Sequence, residues 1–281
     1  MPASTLRLPR LLLLSLALAA SQANATTREI VLPSTAAAAP PFQGITDYPA
    51  AVQAIVNVLA GPLRLPVPAY TMEVHSQPAS FQQALMRHLR LQPETAATAM
   101  RFAKAAVGNR RVLVNDALML RDDWHARLLT LAHEMTHTSQ LELAGHRSLV
   151  RNQWLVEGFA EWVAYRVAEE LGARPMAVER ADVLKRLRVV RDAGRLAPLE
   201  QLDTLGQWVQ ARQQRGFDAL YPYAYLAVDL LVERHSFDAL LDYFRRHRDS
   251  ADAPAHFEAA FGRPLAQFQQ ELDQHLEQLL R

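Results

Sequence analysis

Two short stretches constrain this 281-residue chain more than the rest of it. One is His133-Glu134-Met135-Thr136-His137; the other, twenty residues later, is Glu157-Gly158-Phe159-Ala160-Glu161. Each lies in an amphipathic helical pattern. Leu128, Leu129, Leu131, Ala132 and Met135 give the apolar positions of Trp124 to Leu141. Trp154, Leu155, Phe159, Trp162, Val163 and Val167 do so for Asn152 to Leu171. Side chains four apart on a helix share a face, so His133 and His137 can offer two imidazoles to one metal ion. Glu134 projects beside that pair and can take a proton from a water at such a site without being a ligand itself. Glu157 supplies a third ligand and leaves a fourth position open, the arrangement of a catalytic rather than a structural zinc site. Glu157 and Glu161 also share a face, a spacing that suits a ligand and a carboxylate orienting a ligating histidine. Two solvated acids would be the ordinary reading of such a pair, but apolar residues flank both.

Leu131-Ala132-His133-Glu134-Met135-Thr136-His137, followed by Trp154-Leu155-Val156-Glu157-Gly158-Phe159-Ala160-Glu161, resembles the gluzincin metallopeptidases. More narrowly it is similar to the peptidase MA-like group, whose second motif reads W-L-x-E-G-x-A. The resemblance implies one zinc ion held by His133, His137 and Glu157, with Glu134 as general base. It also implies Glu161 as an acid hydrogen-bonded to the first histidine. The metzincin pattern would need Gly where Gln140 stands and His where Leu143 stands. Downstream, Leu220 to Arg234 resembles the helix that follows in these families, where an opening tyrosine binds the oxyanion. Tyr221 matches best, with Tyr223 and Tyr225 as rivals and core packing as the alternative for all three. The aminopeptidase segment G-x-M-E-N has no counterpart: Asn109 to Asp116 lacks its glutamate. An endopeptidase therefore fits better than an aminopeptidase. Val112-Leu113-Val114 within that stretch reads as a strand. In gluzincins the strand before the zinc helix is a sheet edge that binds extended peptide; an interior strand is the other reading.

The beginning of the chain sets the expected compartment. Arg7 and Arg10 precede an apolar run from Leu11 to Ala20, and Ala23-Asn24-Ala25 offers a cleavage site. Residues 1–25 read as a signal peptide, so the mature chain is expected to be exported, periplasmic or secreted, with no stable membrane insertion. The absence of cysteine excludes disulfides, thiolate ligands and a cysteine nucleophile. Lysine occurs only at 104 and 185 against a large excess of arginine, which suggests a GC-rich bacterial genome. A net charge of +1 makes no case for nucleic acid, and the run Lys185-Arg186-Leu187-Arg188 reads as a solvated helical face.

Residues 26–41 read as an Ala/Pro-rich linker and 42–281 as one catalytic domain. Its expected parts are an N-terminal α/β lobe over about 42–145 and a helical lobe over about 146–281. The expected class is α+β, predominantly helical, a gluzincin or thermolysin-like two-lobed unit with a small mixed sheet. Ala79 to Leu91 and Glu94 to Val107 are helical by period, and a loop-rich bridge is expected from Ala197 to Tyr221. The other eight histidines read as surface or helix-end residues, with His146 placed to approach the cleft rim. The functional expectation is a zinc metallopeptidase acting on a peptide or protein substrate. The alternative is a secreted zinc-binding protein that recognises a partner without cleaving it, against which the intact Glu134 argues.

Overall fold

The computed structural model describes residues 27–33, 37–108, 110–147 and 149–281. The leader run and its cleavage site lie outside them. Four strands form one mixed sheet: β1 (Thr27–Val31), β2 (Thr71–His75), β3 (Ala105–Gly108) and β4 (Arg111–Asn115). Their order is β1-β2-β4-β3, with β2 and β4 parallel and the two outer pairings antiparallel. Among the described residues twelve α-helices accompany the sheet. They are α1 (Tyr48–Ala60), α2 (Pro78–Leu89), α3 (Pro93–Met100), α4 (Asp116–Met119), α5 (Trp124–Leu143) and α6 (Gln153–Glu170), then α7 (Met176–Asp192), α8 (Leu205–Arg215), α9 (Phe217–His235), α10 (Phe237–Arg246), α11 (Ala253–Phe261) and α12 (Leu265–Leu279). The class is thus α+β and mostly helical, with the sheet on the N-terminal side. No described helix is long and apolar enough to cross a membrane.

Alternation along the strands explains why the sheet is covered twice. Met72, Val74, Val112 and Val114 enter the main core, whereas Leu113 turns to a second small cluster with Phe81, Ala84, Leu85 and Ala96 of α2 and α3. Glu73 faces that second side and is nearly fully buried. It is matched there by Arg111 at 2.7 Å, His88 at 3.1 Å and His75 at 3.3 Å, as a buried carboxylate requires.

Three expectations need correction. The supposed linker contains β1: Thr27–Val31 pairs with β2 from Thr27↔His75 to Val31↔Thr71, and Ile30 packs against the core. The helix expected to run to Val107 ends at Met100. The alanine-rich segment beyond it forms β3, because pairing with β4 outweighs alanine's intrinsic preference for helix. In consequence β3 and β1 are the two edge strands, and the Val112–Val114 strand is interior, between β2 and β3. Finally, the bridge before α9 contains α8, which starts with a reciprocal capping box between Thr204 and Gln207.

The C-terminal helices pack through aromatic contacts, with Trp154 stacked on Phe268 at 5.9 Å and Phe159 on Phe237 at 5.7 Å. Between α10 and α11 sit two buried histidines, His247 and His256, edge to face at 4.5 Å. His256 meets Ser250 Oγ at 2.8 Å, while His247 Nε2 has no hydrogen-bond partner. Burial, and then the neighbouring His256, pushes the His247 imidazole down to about 4; burial lowers His256 too. The folded pKa is below the unfolded one, so the neutral form contributes stability above about pH 6.5. That contribution is lost as pH falls from there toward 4. On the order of 3 kcal/mol is at stake. Urea midpoints between pH 7 and 4 are expected to fall more steeply in the native chain than in His247→Leu; equal slopes would show that this histidine does not carry the acid sensitivity.

Candidate metal centre and cleft

Helix α5 starts at Asp123, whose side chain accepts from the Ala126 N–H at 2.8 Å. Its later turns are buried, Thr136, Thr138 and Ser139 included, and α6 packs alongside. The first turn of α6 is fixed from elsewhere. Asn152 takes the left-handed conformation (φ 54°). Its N–H donates to Asp203 Oδ1 at 2.7 Å, and the Gln153 N–H donates to the Asp203 carbonyl at 2.8 Å. Gln140 of α5 then donates to the Val156 carbonyl at 2.8 Å, tying the two helices at the level of Glu157.

This packing brings the three expected ligands together. His133 Nε2 lies 3.1 Å from His137 Nε2 and 3.2 Å from Glu157 Oε2, and His137 Nε2 lies 3.8 Å from the same oxygen. Their ligand atoms all fall within 4.8 Å of one another; among the described residues no other such group occurs. Each side chain is held from behind. Glu161 Oε1 stands 3.4 Å from His133 Nδ1, which has no other partner. His137 Nδ1 meets Gln140 Oε1 at 2.7 Å, so the ring N–H donates to the amide oxygen and frees Nε2. Gln153 Nε2 donates to Glu157 Oε1 at 2.8 Å, leaving Oε2 for the convergence point. Two imidazoles and a carboxylate, oriented in this way, fit a borderline-soft divalent cation such as zinc.

Sequence spacing pointed to His133, His137, Glu157 and Glu161, but not to Gln140 or Gln153. Both are uncharged amides that act only once α5 and α6 are packed. Gln153 did carry a signal, four residues before Glu157 on the same helix face.

Protons respond to this crowding. Burial opposes charging His133, but Glu157 and Glu161 at its two nitrogens more than offset this and hold it well above its usual range. Burial likewise opposes ionisation of Glu157, yet the hydrogen bond to His133 and the charges of both histidines pull it down to about 2. Glu134 is raised by burial, which the two nearby histidines counter only in part.

His133 of the triad lines a cavity of about 520 Å³. Its walls include Ala103 and Ala105 beside the β3 edge, Thr130, His133 and Glu134 of α5, Glu161 and Tyr165 of α6, and Tyr221 of α9. Of the three candidate tyrosines, Tyr221 is the one at the cleft, its ring 5.9 Å from that of His133. Tyr223 is buried with its hydroxyl accepting from Gln269 at 3.2 Å, and Tyr225 packs edge-on against Tyr165. Burial, reinforced by Glu157, pushes the Tyr221 phenol well above its usual range. His146 is not at the rim: it pairs with Glu142 at 3.0 Å at the far end of α5. No family model, curated protein or solved structure matches the chain.

Proposed function

We propose that this chain is an exported zinc-dependent metallopeptidase, an endopeptidase rather than an aminopeptidase. The observation that carries this reading is the convergence of two imidazole Nε2 atoms and one Glu157 oxygen, with His133 of that group lining a cleft that Glu134 lines too. His133, His137 and Glu157 would hold the ion. When bound, zinc supplies Lewis-acid polarisation of a carbonyl and acidifies a water to a pKa near 7. Glu134 takes the proton of the attacking water and returns it to the leaving amine. Its raised pKa suits both halves of that exchange, because it is neither so acidic that it fails as a base nor committed as a ligand. Tyr221 keeps its proton and donates the O–H to the developing oxyanion. Glu161 and Gln140 fix the two imidazoles, so that neither ring has to reorient during turnover. The β3 edge, unpaired on its outer side, borders the same cavity and suits an extended peptide backbone.

The decisive experiment measures metal by elemental mass spectrometry on the purified mature chain, native and Glu157→Ala, followed by a quenched-peptide turnover screen. The expected result is about one zinc per native chain, with retention at least about tenfold weaker in the variant. A native chain that takes up no zinc on reconstitution sinks the reading. A zinc-loaded chain that cleaves nothing across the screen leaves a metal-binding recognition protein instead.

A further inference from the structure

Among the described residues, two arginines of the cleft form no ion pair. Arg186 of α7 and Arg212 of α8 both line the cavity that holds His133, Glu134 and Tyr221. Lys104, also on its wall, is neutralised by Asp122 at 2.8 Å. Arg186 makes only two long contacts, to the Asp182 carbonyl and the Tyr165 hydroxyl, each at 3.4 Å.

Among the described residues, the side-chain partners of Arg212 are rings. Its guanidinium lies 4.2 Å from the centre of Phe102 and 5.7 Å from that of Phe217. Those rings are 50% and 55% exposed, a costly placement for two large apolar groups. Phe217 in turn stacks on Tyr221 at 4.1 Å, and Tyr221 neighbours His133. Arg212 is therefore linked to the triad through two intervening rings, Phe217 and Tyr221. Stacking uses the faces of a guanidinium and leaves its in-plane N–H donors free, which is the geometry for receiving a planar anion edge-on. An ion pair with the protein would have spent those donors, and none is formed among the described residues.

We propose that Arg212, with Arg186 on the same cleft wall, is a carboxylate-binding site that selects substrates bearing a carboxylate near the bond to be cut. This rests on the peptidase reading above. The carboxylate can come from an Asp or Glu side chain or from a peptide C-terminus; the chemistry of recognition is shared.

The test separates binding from turnover. The zinc-loaded mature chain carrying Glu134→Gln is titrated with fluorescein-labelled octapeptides of one alanine-rich framework. Glu or Gln is placed at each position in turn, and each peptide ends as a free acid or an amide. The expected result is that one class of carboxylate binds at least about tenfold tighter than its neutral isostere. The preference falls to within about twofold on adding Arg212→Gln and is partly restored by Arg212→Lys, which keeps the charge but not the fork. A Glu-over-Gln preference identifies the side chain as the source; an acid-over-amide preference identifies the terminus. Equal binding of charged and neutral peptides, including none of either, overturns the proposal. So does a preference that survives both Arg212→Gln and Arg186→Gln. Cleavage by the Glu134-containing chain is scored separately. An arginine-dependent preference without cleavage sinks the peptidase reading and keeps the carboxylate site; cleavage without the preference does the reverse.

Discussion

Glu134→Gln is expected to lower peptide hydrolysis by about a thousandfold while the chain keeps its metal and its fold. The size follows from what the substitution removes. Glu134 is half-buried at the cleft wall and has no place in the converging triad, so its loss does not cost a ligand. The amide has the same shape but cannot accept and return a proton. Burial already favours the uncharged form at this position, so a neutral isostere costs the fold little and is tolerated structurally. The prediction therefore has two halves that must hold together: kcat collapses, and zinc content and thermal midpoint stay at native values. Turnover within tenfold of native would show that another group carries the proton. Loss of zinc would show that Glu134 acts as a ligand, and the proposed division of roles would fall.

The parts of the chain that announced themselves did so through periodicity and chemistry combined. His133, His137 and Glu157 lie on helices whose apolar stripes are plain, and three ligand-type residues at those spacings have few other uses. What could not be read depended on tertiary partners. β3 is an alanine-rich segment that would suit a helix, and only β4 beside it makes it a strand. Of the two readings open for Val112–Val114, edge or interior, the pairing of β3 selects the interior one. β1 was masked by its Ala/Pro-rich neighbourhood, although Thr27, Ile30 and Val31 are β-branched. The glutamines of α8 blur its apolar period, although Thr204-x-x-Gln207 is a helix-start signature. Gln140 had served only to exclude another family's pattern. Its role, holding His137 with one end and the Val156 carbonyl with the other, exists only between two packed helices.

Gly158→Ala, beside the Glu157 ligand, is expected to destabilise the fold by about 3 kcal/mol or more. In an isolated helix the same change would stabilise by about 1 kcal/mol, because alanine is the better helix former. Packing reverses the sign. A Cβ at Gly158 would lie 2.2 Å from the Ala224 carbonyl oxygen, 2.6 Å from its carbon and 2.9 Å from Val228 Cγ2. Two of those atoms are backbone of α9, so no rotamer change relieves the clash and α6 and α9 must separate. Glu157 is the adjacent residue on α6, and Tyr221 lies three residues before Ala224 on α9. The separation would thus act directly on the ligand and the proposed oxyanion donor, and zinc retention should weaken along with stability. Gly206→Ala in α8 is the matched control, since nothing stands within 4 Å of its Cβ; it should be neutral or slightly stabilising. Denaturant midpoints for the two variants decide the matter. If Gly158→Ala unfolds at the native midpoint, the close approach of α6 to α9 is not what holds Glu157 against Tyr221, and the small residue after the ligand needs another cause.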